Sequence, residues 1–364
     1  MSDRATIHFA LTSHGLGHVT RSLAVIQGIH RLRPDWPIVV SSTIDPAWID
    51  KELGFLVRHR RQAYEPGAVQ RDCFSVDIPA TIDAYEAFGE RHADMLEEEI
   101  HFLRSNKVSA VVSDIPALPV GAAGRLGIPA IGVSNFTWDW ILEPWCGPDE
   151  RHLVDALRSD YAAGTLQLCL PLGPDQSSFP DYKPAPLLAR KARLPRDTIR
   201  ERLELGAAPV ALVCLGGWDV DQLPSIHAQT GRFRLVIASN LRITADAPCW
   251  NLGRNLPAGI SMPDLVAAAD VVLGKPGYGL ASECLTHRVP FAMIDRSDSR
   301  ETPCLISQLR DMGRCTTTSV DTFFSGAWEA VLQNALVEGA EWADIEPEPA
   351  LSIASNILAV FADA

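Results

Sequence analysis

The stretch "VVLGKPGYGLASECLTHRVPFAMIDR", residues 271–296, runs from an apolar segment through a glycine turn into a helical pattern and out into a second apolar segment. Residues 271–277 read as a strand entering a turn, 278–288 as a helix and 289–296 as another strand. A strand that returns through a helix pairs in parallel and needs cover on both faces of its sheet. The stretch therefore sets the fold class as α/β.

Working outward, "PVALVCLGG" (209–217) and "RFRLVIASN" (232–240) read as strands, and "MPDLVAAAD" (262–270) as a short helix. Residues 321–340 and 350–364 each read as one helix. The first half follows the same grammar. "TIHFALTS" (6–13), "PIVVSST" (37–43), "VSAVVSD" (108–114) and "IPAIGVSN" (128–135) read as strands. Between them lie helical patterns at 20–32, 87–107 and 116–127, the first carrying Leu23, Ile26, Ile29 and Leu32 at helical spacing. Residues 170–197 hold six prolines and several turn formers, which suits a crossing between domains. The predicted organisation is a first α/β domain over 1–170, a connector over 171–197, a second α/β domain over 198–349, and a closing helix over 350–364.

A length of 364 residues suits two domains. With 47% hydrophobic and 21% charged residues the chain should be globular, not disordered. Its net charge of −13 argues against duplex nucleic acid or an anionic membrane as the main partner, while leaving room for a locally positive pocket. No apolar run is long enough for a signal peptide core or a membrane helix, so a cytoplasmic protein is expected. Eight scattered cysteines form no CxxC pair, and ten histidines form no HExxH, so no metal site is expected.

In open parallel sheets ligands bind beyond the carboxyl ends of the strands. Gly277 and Gly279 lack Cβ atoms, so backbone N–H groups there can approach a diphosphate. A helix starting near Tyr278 would add its positive end. Glu283 then lies where ribose hydroxyls would be held; the plainer alternative is a solvated glutamate. Gly216 and Gly217 either wrap the other side of the diphosphate or close a tight turn. In "DRSDSRE" (295–301), Asp298 and Glu301 are candidates for sugar hydroxyls and Arg300 for phosphate, against a loop that merely faces water.

In the first half, "SHGLGHVTR" (13–21) lacks GxGxxG and is followed by no GK[ST], which excludes a dinucleotide-binding or P-loop reading. Gly15 and Gly17 shape a turn able to contact a substrate. His18, at the mouth of a helix, suits a neutral general base better than His14 does, and a histidine that only packs the loop is the alternative. Asp114 either orients that histidine or caps the helix after Pro116, the cap being the simpler expectation. Trp138 and Trp140 either stack on a sugar or fill the core, and Asn135 and Asp139 are candidates for hydrogen bonds to an acceptor.

HGLGHVTR (14–21), LGGW (215–218) and KPGYGLASECLTHRVPFAMIDRSDSRE (275–301) together resemble the GT-B superfamily of glycosyltransferases, with MurG-type nucleotide-sugar transferases as the nearest likeness. The resemblance implies two Rossmann-like domains with parallel sheets facing across a cleft. It also implies a nucleotide sugar held mainly by the second domain, no metal or other cofactor, and a final helix returning to the first domain. It places Gly277, Tyr278 and Gly279 at the donor phosphates, Glu283 at the ribose, and His18 as base or substrate contact. Two positions depart from the pattern: one glycine stands where a pair commonly precedes the histidine, and Lys275 and Pro276 stand where serine and arginine are common. Residues 111–141 are also similar to the GT-B-like portion of plant arabinokinase-type proteins, whose kinase activity is not expected here.

The function expected is metal-independent transfer of a sugar from a UDP- or dTDP-sugar to a hydroxyl acceptor. The alternatives are a nucleotide-sugar epimerase or hydrolase on the same fold, and a sugar-nucleotide-binding protein without catalysis.

Overall fold

The computed structural model describes residues 6–12, 14, 16–174, 177–215, 224–253, 256–296 and 299–362. These divide into two compact units, one comprising 1–69, 77–188 and 346–364, the other 70–76 and 189–345.

The first unit opens with β1 (Thr6–Leu11), α1 (Leu16–Leu32), β2 (Ile38–Ser41), α2 (Pro46–Leu53) and β3 (Arg58–Arg60). It continues with α3 (Ile78–Gly89), α4 (His92–Ser105), β4 (Val108–Asp114), α5 (Leu118–Arg125) and β5 (Ala130–Ser134). Helices α6 (Trp138–Leu142) and α7 (Arg151–Ala162) and strands β6 (Leu166–Cys169) and β7 (Tyr182–Pro184) complete the run. The strands form one parallel sheet in the order β3-β2-β1-β4-β5-β6-β7. Every residue of β1 is buried, as a central strand covered on both faces requires. The order reverses between β1 and β4.

The second unit contains α8 (Arg196–Arg202), β8 (Val210–Cys214), β9 (Ile226–Ala228), β10 (Arg234–Ile237), β11 (Ile243–Ala245) and β12 (Cys249–Asn251). After these come α9 (Met262–Ala268), β13 (Val271–Gly274), α10 (Tyr278–His287), β14 (Phe291–Ile294), α11 (Glu301–Met312) and β15 (Cys315–Thr318). Helices α12 (Val320–Ser325) and α13 (Glu329–Ala335) end it. Its main sheet is again parallel, β12-β10-β8-β13-β14-β15, with β9 and β11 pairing separately. Here the reversal falls between β8 and β13. Both sheets thus have the strand order of a dinucleotide-binding fold.

The last helix, α14 (Pro349–Ala362), packs on α1 within the first unit. Gly28 permits that approach, because a Cβ there would fall 2.6 Å from the carbonyl oxygen of Ala350.

The structure differs from the sequence expectations at several points. Helix α1 starts at Leu16, so its first turn includes Gly17 and His18. Leu23, Ile26 and Ile29 are buried, whereas Leu32, on the last residue of the helix, is 42% exposed. The single helix expected over 87–107 is two, broken after Gly89. The one expected over 321–340 is broken at Gly326, whose φ of +76° a side chain rarely adopts and whose Cβ would meet the His227 carbonyl oxygen at 2.0 Å. Residues 171–188 of the predicted connector belong to the first unit, where β7 joins the sheet edge. Residues 70–76 belong to the second unit, with Cys73 and Phe74 in its apolar core.

Candidate functional site

In the first unit the polar side chains converge where the strand order reverses. His18, Arg21 and Ser22 follow β1 on one face of α1, at the i, i+3 and i+4 spacing that makes neighbours on a helix. Asp114 is the last residue of β4, the neighbouring strand, and the peptide after it is cis. Asp114 Oδ1 lies 2.9 Å from His18 Nδ1 and accepts from Arg21 NH2 at 2.6 Å. Its Oδ2 accepts from Arg21 Nε at 2.7 Å and from the Ser22 hydroxyl at 2.9 Å. Arg21 NH1 donates to Asn135 Oδ1 at 2.8 Å, which ties the end of β5 into the same group.

Asp114 is buried. Burial alone would raise its pKa, but the Arg21 guanidinium, and then His18, outweigh burial and hold the carboxyl at about 2. It is therefore a fixed negative charge at neutral pH. Arg21 NH2 also stands 2.8 Å from His18 Nδ1. With a proton on Nδ1 the ring donates to Asp114 and keeps its Nε2 lone pair; without one, it accepts from Arg21. Nε2 carries no hydrogen bond among the described residues, and the side chain is 17% exposed.

Asp114 thus orients His18 and does not cap α5, whose N-cap is Ala117. The cap expectation is overturned because four donors, reached across more than ninety residues of sequence, take both oxygens. Asn135 supports Arg21. Asp139 is buried, and its Oδ2 accepts from Arg158 at 3.2 Å and Ser178 at 2.6 Å, which ties α6 to α7 and to the loop before β7. Trp138 and Trp140 are buried within this unit. Gly17 is exposed, with open space where a Cβ would lie. Gly15 lies outside the described residues.

In the second unit the corresponding edge lies beyond β8 and β13. Gly274 lets the strands close, since a Cβ there would meet Cys214 O at 2.2 Å. Gly277 precedes α10 with extended φ of −150°, and a Cβ on it would meet nothing within 4 Å. Neither backbone strain nor crowding demands glycine at that position. Tyr278 opens α10 and is buried, whereas Gly279 in the same turn is half-buried.

Glu283 is buried one turn further along, and its Oε1 accepts from Arg190 Nε at 2.8 Å and NH2 at 2.7 Å. It is not a solvated residue. Burial raises its pKa against the opposing charge of Arg190. The same connector is held by Asp264 Oδ1, which accepts from the backbone N–H of Arg193 at 2.7 Å and of Leu194 at 3.0 Å. Arg300 and Glu301 stand half-buried at the start of α11, on the strand-end side of β14. Gly216, Gly217 and Asp298 lie outside the described residues.

Arg21, Ser22 and Arg190 were not among the residues singled out in the sequence. The i+3 and i+4 spacing from His18 was a signal for the first two; for Arg190 nothing local existed. Among the described residues no group of three or more His, Cys, Asp or Glu side chains is placed to hold a metal ion, and no helix is long and apolar enough to cross a membrane.

Two parallel α/β units of this strand order, with a terminal helix returning to the first, are the GT-B fold. The glycosyltransferase SnogD from Streptomyces nogalater matches 99% of this chain and 100% of its own at TM-score 0.59 and 15% identity. The glycotransferase of kitacinnamycin matches at TM-score 0.61 and 16% identity, covering 99% and 96% of the two chains. MurG from Acinetobacter baumannii matches at 0.52 and 13%, covering 98% and 99%. In sequence, the chain is 29% identical over 346 residues to L-arabinokinase of Arabidopsis thaliana, which covers 92% of this chain. The chain spans about a third of the length of that relative (32%). No family model matches it.

Proposed function

We propose that this chain is a metal-independent glycosyltransferase that moves a sugar from a nucleotide-diphosphate donor, a UDP- or dTDP-sugar, to a hydroxyl acceptor. The observation that carries the reading is the His18–Asp114 pair at the strand reversal of a GT-B unit, with the outer ring nitrogen uncommitted among the described residues. His18 Nε2 takes the acceptor proton as that oxygen bonds to the anomeric carbon and the bond to the diphosphate breaks. Asp114 then faces the imidazolium through Nδ1–H. The Arg21 charge beside the ring is offset by the same carboxylate.

In this reading the backbone N–H groups of residues 277–279 and the positive end of α10 receive the departing diphosphate, in place of a metal. The open space above Gly277 supports that role. Glu283 would reach a ribose only by sharing its carboxylate with Arg190, so the ribose assignment rests on the resemblance. Arg300 and Glu301 remain candidate donor contacts on the same edge.

The test is thermal shift against nucleotides, because a ligand that binds the folded state raises its melting temperature by mass action. A shift with UDP or dTDP and none with NAD or ATP is the expected result. No shift with any nucleotide diphosphate would overturn the proposal.

A second reading, a sugar-nucleotide-binding body without transfer, draws on the relative named for a kinase, which this chain matches over a third of its length. It is separated by turnover: nucleotide binding with no transfer to any hydroxyl acceptor would favour it.

A further inference from the structure

An ionised carboxylate can only accept, and its two oxygens offer about four lone-pair sites. On Asp114 three of them are taken by Arg21 Nε at 2.7 Å, Arg21 NH2 at 2.6 Å and the Ser22 hydroxyl at 2.9 Å. The site left is on Oδ1, and His18 Nδ1 stands 2.9 Å from it. Asp114 carries no proton at neutral pH, so a hydrogen in that contact has to come from the ring.

Arg21 NH2 closes a triangle, 2.8 Å from the same Nδ1. A bare Nδ1 would accept from it, but would then set its own lone pair against Oδ1 in a buried place, where an unmet acceptor is costly. A protonated Nδ1 avoids that. Arg21 still keeps both bonds to Asp114 and its NH1 bond to Asn135 Oδ1 at 2.8 Å. A histidine side chain in water favours the other tautomer, with the proton on Nε2, so the partners of Nδ1 have to reverse that preference.

A carboxylate with one partner can turn about its Cβ–Cγ bond; the planar guanidinium, bonded to both oxygens, fixes the plane. Asn135 aims that guanidinium. It is buried just after β5, and the loop after β6 lies so close that a Cβ on Gly173 would collide with the Asn135 carbonyl oxygen. Phe136, the next residue, stands edge-on to the His18 ring with centroids 5.7 Å apart.

We propose that Arg21 and Asn135 are positioning residues for the transfer: the Arg21 fork, aimed by Asn135, turns Asp114 so that the neutral His18 ring carries its proton on Nδ1 and presents a bare Nε2 to the acceptor hydroxyl. This rests on His18 being the base and names what makes it one.

The test is long-range proton–nitrogen correlation NMR on the isotope-labelled full chain, which shows directly which ring nitrogen bears the proton. His18→Gln identifies the ring's signals by their loss. At the alkaline end of a pH titration, where the imidazole is neutral, most wild-type molecules should carry the proton on Nδ1. Arg21→Lys keeps the charge without the fork, and Asn135→Ala, the milder change, leaves the fork unaimed. Each should move the majority to Nε2 in a chain that thermal melting shows to be folded. A proton on Nε2 in wild type overturns the inference, and one that stays on Nδ1 in a folded variant overturns it for the residue changed. Calorimetric UDP titration of the same wild-type preparation keeps the two readings apart. UDP binding with the proton on Nε2 removes the positioning role and leaves the donor site standing. A proton on Nδ1 without UDP binding leaves the positioning of the ring and removes the transferase reading.

Discussion

One carboxylate oxygen of Asp114 serves both His18 and Arg21, at 2.9 and 2.6 Å, so the imidazole is held by an ion pair and not by a lone carboxylate. The pairing fixes the ring at the strand reversal and keeps the local charge balanced. Removing any one member should therefore affect the others differently.

His18→Ala deletes the proposed base without disturbing the Arg21–Asp114 contact. Transfer should fall by about 10²–10⁴-fold, the usual contribution of a positioned base. UDP affinity, which the proposal assigns to the other unit, should stay as it is. Steady-state rates with calorimetry on the same preparations give the answer, and equal turnover by both proteins would remove His18 from the chemistry.

Asp114→Asn acts on stability as well as rate. It leaves Arg21 buried with its counter-charge gone, a change that commonly costs about 3–5 kcal/mol. The pH dependence has a definite sign. The folded carboxyl titrates at about 2, below its ordinary 3.8, so its stabilisation is complete above 3.8 and is lost as pH falls toward 2. Urea denaturation at pH 7 and pH 3 should show the wild type losing more stability than the variant across that interval.

Glu65 carries the opposite sign. Burial pushes its carboxyl from 4.5 up to about 8, so the folded state holds the extra proton. The stability this group supplies is complete below 4.5 and drains away as pH rises through about 8. Glu65→Gln keeps the neutral shape at every pH. The stability difference between variant and wild type should grow in favour of the variant between pH 5 and 8, measured by the same denaturation curves. A constant difference would mean the carboxyl is ionised inside the fold.

The glycine-punctuated strands and helices were legible because central strands such as β13 and β14 are continuous apolar runs, with every residue buried. Strands β3 and β7, with the sequences RHR and YKP, were not, because they lie at the sheet edges and expose much of their surface. His18 could be picked out from its place after a glycine turn. For Asp114 the sequence left two readings, orienting that histidine or capping the next helix, and could not decide between them, since the partners lie more than ninety residues back. Glu283 shows the same limit: its partner Arg190 lies in a connector whose prolines say where the chain turns, not what it touches.

Arg190→Ala tests what Glu283 does. If the pair chiefly clamps the connector onto α10, both Arg190→Ala and Glu283→Ala should destabilise the fold, by roughly 2–4 kcal/mol for the variant that strands the buried carboxylate. If Glu283 also holds a ribose, Glu283→Ala should weaken UDP binding well beyond Arg190→Ala. Paired chemical denaturation and UDP titration separate the two, and equal UDP affinities across wild type and both variants would leave the clamp as the whole role.

Gly277→Ala separates a structural glycine from one that keeps a phosphate path open. The residue has φ of −150°, which any side chain adopts, and a Cβ would meet no atom within 4 Å. As the N-cap of α10 it loses at most about 1 kcal/mol on becoming alanine, so the melting temperature should drop by only a few degrees. A diphosphate resting on the amides of 277–279 would instead collide with the new methyl group, and UDP affinity should fall by about tenfold or more. Calorimetric titration well below the melting temperature gives the decisive number. Unchanged affinity in a stably folded variant would move the diphosphate away from the β13–α10 turn.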